Sequence, residues 1–389
     1  MKRAFISILL FFWGLHIAFP MLYYSYYGFF TIYSNISSPE ALQKAFWMNT
    51  ATIFGTVAVL IALPDKKEKI QPIYYSLTSL FYLVFLYSLI YLISIKGFTG
   101  ILSGAAKGTV FGYLNKFVDM GVIFLVIIGY QKNKYSIITM LLLFLIITTV
   151  FGSRSCIIAI ILSTMIIFPM FTNYSIYKNK IYIFIIIFTA LSPLMFYYGT
   201  LSRGINVDRN LLSRQIVGRI SSLELSMIPI NCKDNNISGC NLDMFYEKYN
   251  PVRQILQSID TMYPGNIWVT DVLPSQYYRV AFLGWNEEKA KSFYTSMNMT
   301  LPVYFYMYTN ETIASILSII TLVCYYLVWM RFRKNIYIFL GMILTLYFML
   351  QYFDFVMLYY QFFIYILTIA TVQLFINVKK YLVMISKTR

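Results

Sequence analysis

Apolar runs of about twenty residues recur along this chain, and that recurrence leaves few folds open. A hydrocarbon layer ~30 Å thick is crossed by about 20 apolar residues in helical form. Ten such runs can be read, at approximately 4–24, 45–64, 72–94, 110–130, 135–151, 155–172, 181–199, 312–330, 336–351 and 355–377. Charged residues make up only 12% of the 389 and apolar residues 59%. A soluble domain carries roughly 25% charged and 45–50% apolar residues, so a soluble enzyme, a disordered chain and a disulfide-dense secreted scaffold are excluded. The 36 Tyr, 33 Phe and 5 Trp suit a protein with two wide membrane–water interfaces to anchor.

The net charge of +16 resembles a nucleic-acid signal, but the cations do not form one patch. They sit in short clusters between the runs. Lys2-Arg3 precede the first run. Lys66, Lys67 and Lys69 follow the second, Lys132 and Lys134 the fourth, and Lys178 and Lys180 the sixth. Arg331, Arg333 and Lys334 follow the eighth, and Lys379, Lys380, Lys387 and Arg389 the tenth. Clusters after every second run are what the positive-inside rule demands of a chain with both termini in the cytoplasm. No nucleic-acid partner is expected. The first run has no small-x-small cleavage site and is read as a retained helix.

The expected fold is therefore an all-α polytopic membrane protein of about ten transmembrane helices with one large periplasmic loop. Residues 1–199 form an N-terminal bundle, 200–311 the loop subdomain, and 312–389 a C-terminal bundle. From 200 to 300 the chain carries ten basic and nine acidic residues, a soluble-like balance found nowhere else in it. No internal repeat is visible, which argues against an inverted-repeat transporter.

Of the four Cys, Cys156 and Cys324 lie in apolar runs and read as inert packing residues. Cys232 and Cys240 flank a polar, turn-rich stretch in the loop, where an oxidising compartment would let them bridge. His16, in the first run, is the sole histidine, so a His-based metal centre is not expected.

Arg154 stands in Gly152-Ser153-Arg154, a tight turn between two strongly apolar runs. An Arg at a membrane edge either snorkels to a headgroup or serves a site, here as an anion clamp. The loop opens with Arg203, Arg209, Arg214 and Arg219, four Arg and no Lys within 17 residues. Arg keeps its charge at a membrane face and grips phosphate bidentately. The pattern predicts a helix from Val207 to about Ile228. On it Arg209, Arg219 and Glu224 share an arc of ~140° with Arg214 at its rim. That helix is either an interfacial amphipathic element or the wall of a site. Glu224 is the best carboxylate, as an ion pair or as a positioned base. Lys116 and Asp119, three apart, either neutralise one another or serve the site. Asp354 stands at the outer mouth of the last two runs. Arg253, Asp260, Asp271 and Arg279 are further loop candidates.

A site rich in guanidinium at headgroup level, with a Glu at hand, suits a lipid-linked phosphate or diphosphate. One reaction needs only these groups: displacement of a polyprenyl diphosphate from a sugar's anomeric carbon by another sugar's hydroxyl. Arg charges would stabilise the departing diphosphate, and a carboxylate would take the attacking hydroxyl's proton. The donor is already activated, so no cofactor or nucleotide is required, and no Walker-type loop is seen.

These features resemble the O-antigen polymerase family, which joins oligosaccharide repeat units in Gram-negative surface polysaccharide assembly. The resemblance rests on the many spans and the Gly152-Ser153-Arg154 turn. It rests also on a large loop opening with Arg203-Gly204 and Gly218-Arg219-Ile220, and on Leu301-Pro302 at its end. It implies an inner-membrane glycosyltransferase with the fold of O-antigen polymerases and ligases and 10–12 spans. It implies metal-independent transfer between undecaprenyl-diphosphate-linked repeat units at the periplasmic face. Arg154, Arg203, Arg209 and Arg219 would hold the lipid diphosphate. A chain-length regulator and a flippase of the same pathway would be its partners, beside the bilayer itself. Two rivals are a lipid-linked oligosaccharide flippase, which would need short loops and a cavity between two halves, and an O-antigen ligase. Ligases use a loop histidine, and residues 200–311 contain none.

Overall fold

The computed structural model describes residues 2–28, 37–64, 217–218, 221–254, 256, 274–291 and 299–331, with scattered positions between 342 and 386. Among the described residues the secondary structure is helical, with no strand. The chain divides into two compact units, one of 1–67, 209–330 and 345–361, the other of 68–208, 331–344 and 362–389. In the second, residues 381–386 form an exposed helical segment. All that follows concerns the first.

Three of the expected apolar runs are helices long and apolar enough to cross a membrane: Lys2–Tyr27, Pro39–Ala62 and Glu311–Arg331. The other seven runs fall wholly or largely outside the described residues. The first helix comprises α1 (Lys2–Phe12), a π-helical segment (Trp13–Ala18) and α2 (Phe19–Tyr27). It ends at Gly28, whose φ of 77° favours glycine. Helix α3 (Pro39–Ala62) starts as its sequence dictates. The Ser38 side chain accepts the Ala41 N–H, Pro39 is pre-set for the first turn, and Glu40 complements the dipole. It stops at Leu63, extended because Pro64 follows.

Helix α4 (Ser222–Asn235) is buried along most of its length, and α5 (Leu242–Lys248), α6 (Pro274–Leu283), α7 (Glu287–Lys291) and α8 (Leu301–Tyr308) follow. Helix α9 (Glu311–Arg331) closes the series, with the Asn310 side chain accepting the Ile313 N–H at 2.9 Å. Side-chain contacts set the helix directions. Lys2 donates to the terminal carbonyls of Ile61 and Leu63, and the Trp13 indole donates to Thr50 Oγ1 at 3.1 Å, so α1 and α3 are antiparallel. Phe5 packs on Tyr326 and Trp329, each with ring centroids 5.2 Å apart, so α1 and α9 are antiparallel too. Lys44 bridges Glu311 at 2.9 Å, and Gly55 meets Ile319 so closely that a Cβ would come within 2.5 Å of its Cδ1. Helices α3 and α9 therefore run the same way, at the close approach a small residue permits. Helices α3 and α9 thus both run opposite to α1.

Helix α4 runs beside α3 in the most extensive pairing between any two described elements. Lys44 meets Asp234 at 2.7 Å. Only residues 39–43 of α3 precede that bridge, while residues 222–233 of α4 do. A long contact from this starting point requires antiparallel helices. Pro229 interrupts α4 and cannot bond the Leu225 carbonyl, and the Tyr278 hydroxyl from α6 takes that oxygen instead. An aromatic cluster joins α5, α6 and α8: Phe245 stacks on Tyr249 at 5.0 Å and tilts against Phe282 at 5.1 Å, and Tyr249 meets Tyr304 at 5.9 Å.

Candidate functional site

Ser221-Ser222-Leu223-Glu224 is a capping box read directly from sequence. Ser221 has an extended backbone (φ −68°, ψ 116°), and its hydroxyl accepts the Glu224 N–H at 3.3 Å. The single helix predicted over 207–228 is therefore broken at Ser221. A strong N-cap wins there over the continuous apolar pattern, and the arc argued for Arg209, Arg219 and Glu224 does not hold across the break. The Ser221 N–H donates to the Val217 carbonyl at 2.7 Å, so the box does not need its reciprocal bond from Glu224.

Glu224 is only 3% exposed. Gly218 lies against its carboxylate: a Cβ there would come within 2.9 Å of Oε2. A Cβ at Gly218 would therefore make the carboxylate, the end of a flexible side chain, move aside. Counted from the Lys44–Asp234 bridge at 1.5 Å per residue, Glu224 lies roughly 15 Å further along α3. That places the carboxylate alongside the middle of α3. Sequence alone could not show this, because the position depends on a pairing between residues 190 positions apart.

Polar side chains collect at that level. Ser226 and Thr300 share a hydroxyl bond of 3.0 Å, and the Thr300 N–H donates to Ser226 Oγ at 3.3 Å. Asn49, Thr52 and Thr56 occupy one buried stripe of α3. By the same register Thr52 stands level with Ser226 and Thr56 with Ser222. The Phe353 N–H donates to the Met299 carbonyl at 3.0 Å, bringing the segment of Gln351 alongside. On the π-helical segment His16 is fully buried, and its Nε2 is 2.7 Å from the Tyr347 hydroxyl. Such segments recur at functional sites. No sequence signal pointed to this pair, whose members lie 331 positions apart.

A second polar cluster marks the other end of α4. Lys44 bridges both Asp234 and Glu311, and the Tyr306 hydroxyl donates to Asp234. Lys233 donates to the Tyr306 and Thr309 carbonyls that end α8, and its ammonium lies 4.2 Å from the Tyr306 ring centroid. Cys232 and Cys240 are disulfide-bonded beside it, as the sequence suggested. Burial, then the bond to Asp234, pushes the Tyr306 hydroxyl up to about 12 against the pull of Lys44. Burial also lowers the Lys233 ammonium, opposed by Asp234 and assisted by Lys44.

Of the predicted site residues, Glu224 and the Cys232–Cys240 pair are described. Arg154, Arg203, Arg209, Arg214, Arg219, Lys116, Asp119 and Asp354 lie outside the described residues, as do Asp260, Asp271 and Cys156. Cys324 is a free thiol exposed on α9, not a packed one. Arg279 is buried on α6, with its guanidinium 5.5 Å from the Trp285 ring centroid. Among the described residues no three His, Cys, Asp or Glu side chains converge as a metal would require. No family model matches the chain, and no curated protein or solved structure does.

Proposed function

We propose that this chain is a membrane glycosyltransferase of the O-antigen polymerase kind, joining undecaprenyl-diphosphate-linked oligosaccharide repeat units at the periplasmic face of the inner membrane. One observation carries the reading: Glu224 is a buried carboxylate at the foot of a helix that descends beside a candidate span. An ionisable side chain so fully buried is costly to keep and marks a candidate functional site. The arginine-rich run 203–219 immediately precedes it in sequence.

In this reading the ten-span topology stands with both termini cytoplasmic, and residues 200–311 are periplasmic. The donor's diphosphate is held by Arg154, Arg203, Arg209 and Arg219, with Arg214, Lys116, Asp119 and Asp354 around the mouth. Glu224 takes the proton of the acceptor hydroxyl as that oxygen attacks the anomeric carbon. The C–O bond to the diphosphate breaks, and the guanidinium groups stabilise the charge developing on the leaving group. Gly218, next to Arg219 in sequence, lies against the carboxylate. No cofactor is called for, because the donor carries its own leaving group.

Purified protein in nanodiscs, given the host's lipid-linked repeat unit alone, should yield a ladder resolved to single repeats on a gel. The second reading is a flippase for the same lipid, for which the arginine-rich run 203–219 would form a headgroup path. No ladder, with movement of the lipid across a vesicle bilayer, would select it.

A further inference from the structure

Asparagine side chains hold the fold together throughout this unit. Asn241, Asn250, Asn286 and Asn310 each accept the backbone N–H three residues on, at 2.8–2.9 Å, and so cap the start of a helical turn. Asn235 donates to Asn231 at 2.6 Å, and Asn49 to the Ala45 carbonyl at 2.8 Å. Asn236 is the exception: its side chain makes no hydrogen bond among the described residues. It stands exposed at the end of α4, in the left-handed conformation (φ 46°, ψ 49°) that asparagine tolerates.

Asn236 also opens one of five Asn-x-Ser/Thr triplets, the acceptor pattern for N-linked glycans. The pattern recurs by chance, and the fold discriminates between its copies. Transfer requires the amide nitrogen and the hydroxyl two residues on to be reached together, on a surface with room for a bulky glycan. The triplets at Asn35, Asn173 and Asn298 begin outside the described residues, but the last of them ends in Thr300, fully buried and bonded to Ser226 at 3.0 Å. At Asn310 the amide oxygen caps α9, Glu311 is held by Lys44, and Thr312 already lies in the helix. At Asn236 nothing intervenes. Asn236 and Ser238 are both exposed, and neither lies in a helix. The Cys240 N–H donates to the Ile237 carbonyl at 3.1 Å and Gly239 takes a φ of 109°, so 237–240 form a turn that presents the triplet. The Cys232–Cys240 disulfide closes that turn, and disulfides persist in the oxidising, extracytoplasmic compartments where such glycans are carried.

We propose that Asn236 is a modification site that takes an N-linked oligosaccharide from a polyprenyl-diphosphate-linked donor, transferred by a separate enzyme. In that step Asn236 Nδ2 bonds the anomeric carbon as the C–O bond to the diphosphate breaks. The polyprenyl diphosphate departs with the bonding electrons, and the nitrogen gives one proton to a base of the transferase. The assignment rests on the exposed triplet and not on the polymerase reading: here the chain is the acceptor, not the catalyst.

The test uses the full chain purified from the membranes of its own host, then reduced and cut with trypsin. Cleavage after Lys233 and Lys248 isolates peptide 234–248, in which Asn236 opens the only Asn-x-Ser/Thr triplet. Its mass should exceed that of the bare peptide by one oligosaccharide, with fragmentation placing the glycan on Asn236. Asn236→Gln and Ser238→Ala should each remove the added mass completely, and Ser238→Thr should keep it. Both side chains are exposed, so these variants should fold, and melting temperature verifies it. A bare peptide from the wild-type chain would overturn the proposal without recourse to any variant. So would a glycan that survives Ser238→Ala, or one found on Asn298 or Asn310 with Asn236 bare. Peptide mass does not depend on polymer formation, so this proposal and the ladder assay fail separately.

Discussion

The two ends of α4 differ in almost every physical respect. At the C-terminal end Lys44, Lys233, Asp234, Tyr306 and Glu311 are partly solvated, richly bonded to one another and stapled by Cys232–Cys240. Ten residues away, at the N-terminal end of α4, Glu224 is buried, and the Ser222 hydroxyl has no hydrogen-bond partner among the described residues. The first arrangement spends its hydrogen-bonding capacity on holding helices together. The second keeps some in reserve, which stability alone would not favour.

The comparison can be broken from either end. The largest expected effect belongs to the proposed diphosphate clamp. Arg154→Lys keeps the charge and loses the bidentate fork, and polymer formation in cells should fall on the order of a hundredfold at equal protein level. Wild-type polymer from this variant would remove Arg154 from the site. Next comes Gly218→Ala. Its methyl group would stand 2.9 Å from Glu224 Oε2, so the carboxylate must swing aside. A displacement of about 1 Å can cost up to ~100-fold in turnover, and single-turnover assays should show the loss with little change in melting temperature.

Opening the C-terminal end should do the reverse. Replacing Cys232 and Cys240 by Ser removes a cross-link between residues 8 apart, worth about 2.5 kcal/mol in the chain-entropy account. Denaturation should shift by that order, while turnover per folded molecule holds. A smaller effect follows from titration. The folded-state value of Tyr306 is raised from 10.0 to about 12. Its contribution to stability is therefore fully present below the unfolded value and is lost as pH rises through the folded one. Wild-type protein should lose stability between about pH 10 and 12, and Tyr306→Phe should lose less over that window. Parallel pH profiles would show that the hydroxyl is not coupled to folding.

How much of this was legible in sequence differs in the same way between the two ends. Apolar length marked α3 and α9, and Ser38-Pro39-Glu40 marked where α3 starts. The Cys232–Cys240 spacing marked the staple, because these signals are local. Glu224 stood out as a carboxylate in an apolar stretch, but its setting was misread. The Ser221–Glu224 capping box was present and was outweighed by the longer periodic pattern around it. Its place beside α3 was not legible at all, since it follows from Lys44 meeting Asp234, a contact between distant parts of the chain. The His16–Tyr347 pair is the same case. A lone histidine in an apolar run carries no mark of the tyrosine that meets it.

The most direct test of the central claim is the ladder assay repeated with Glu224→Gln, which keeps shape and removes the base. The proposed mechanism predicts that wild-type protein extends the lipid-linked repeat unit and that the variant, folded and still binding undecaprenyl diphosphate, yields no ladder. A ladder from Glu224→Gln as long and as fast as the wild type's would contradict it and return Glu224 to a purely structural role.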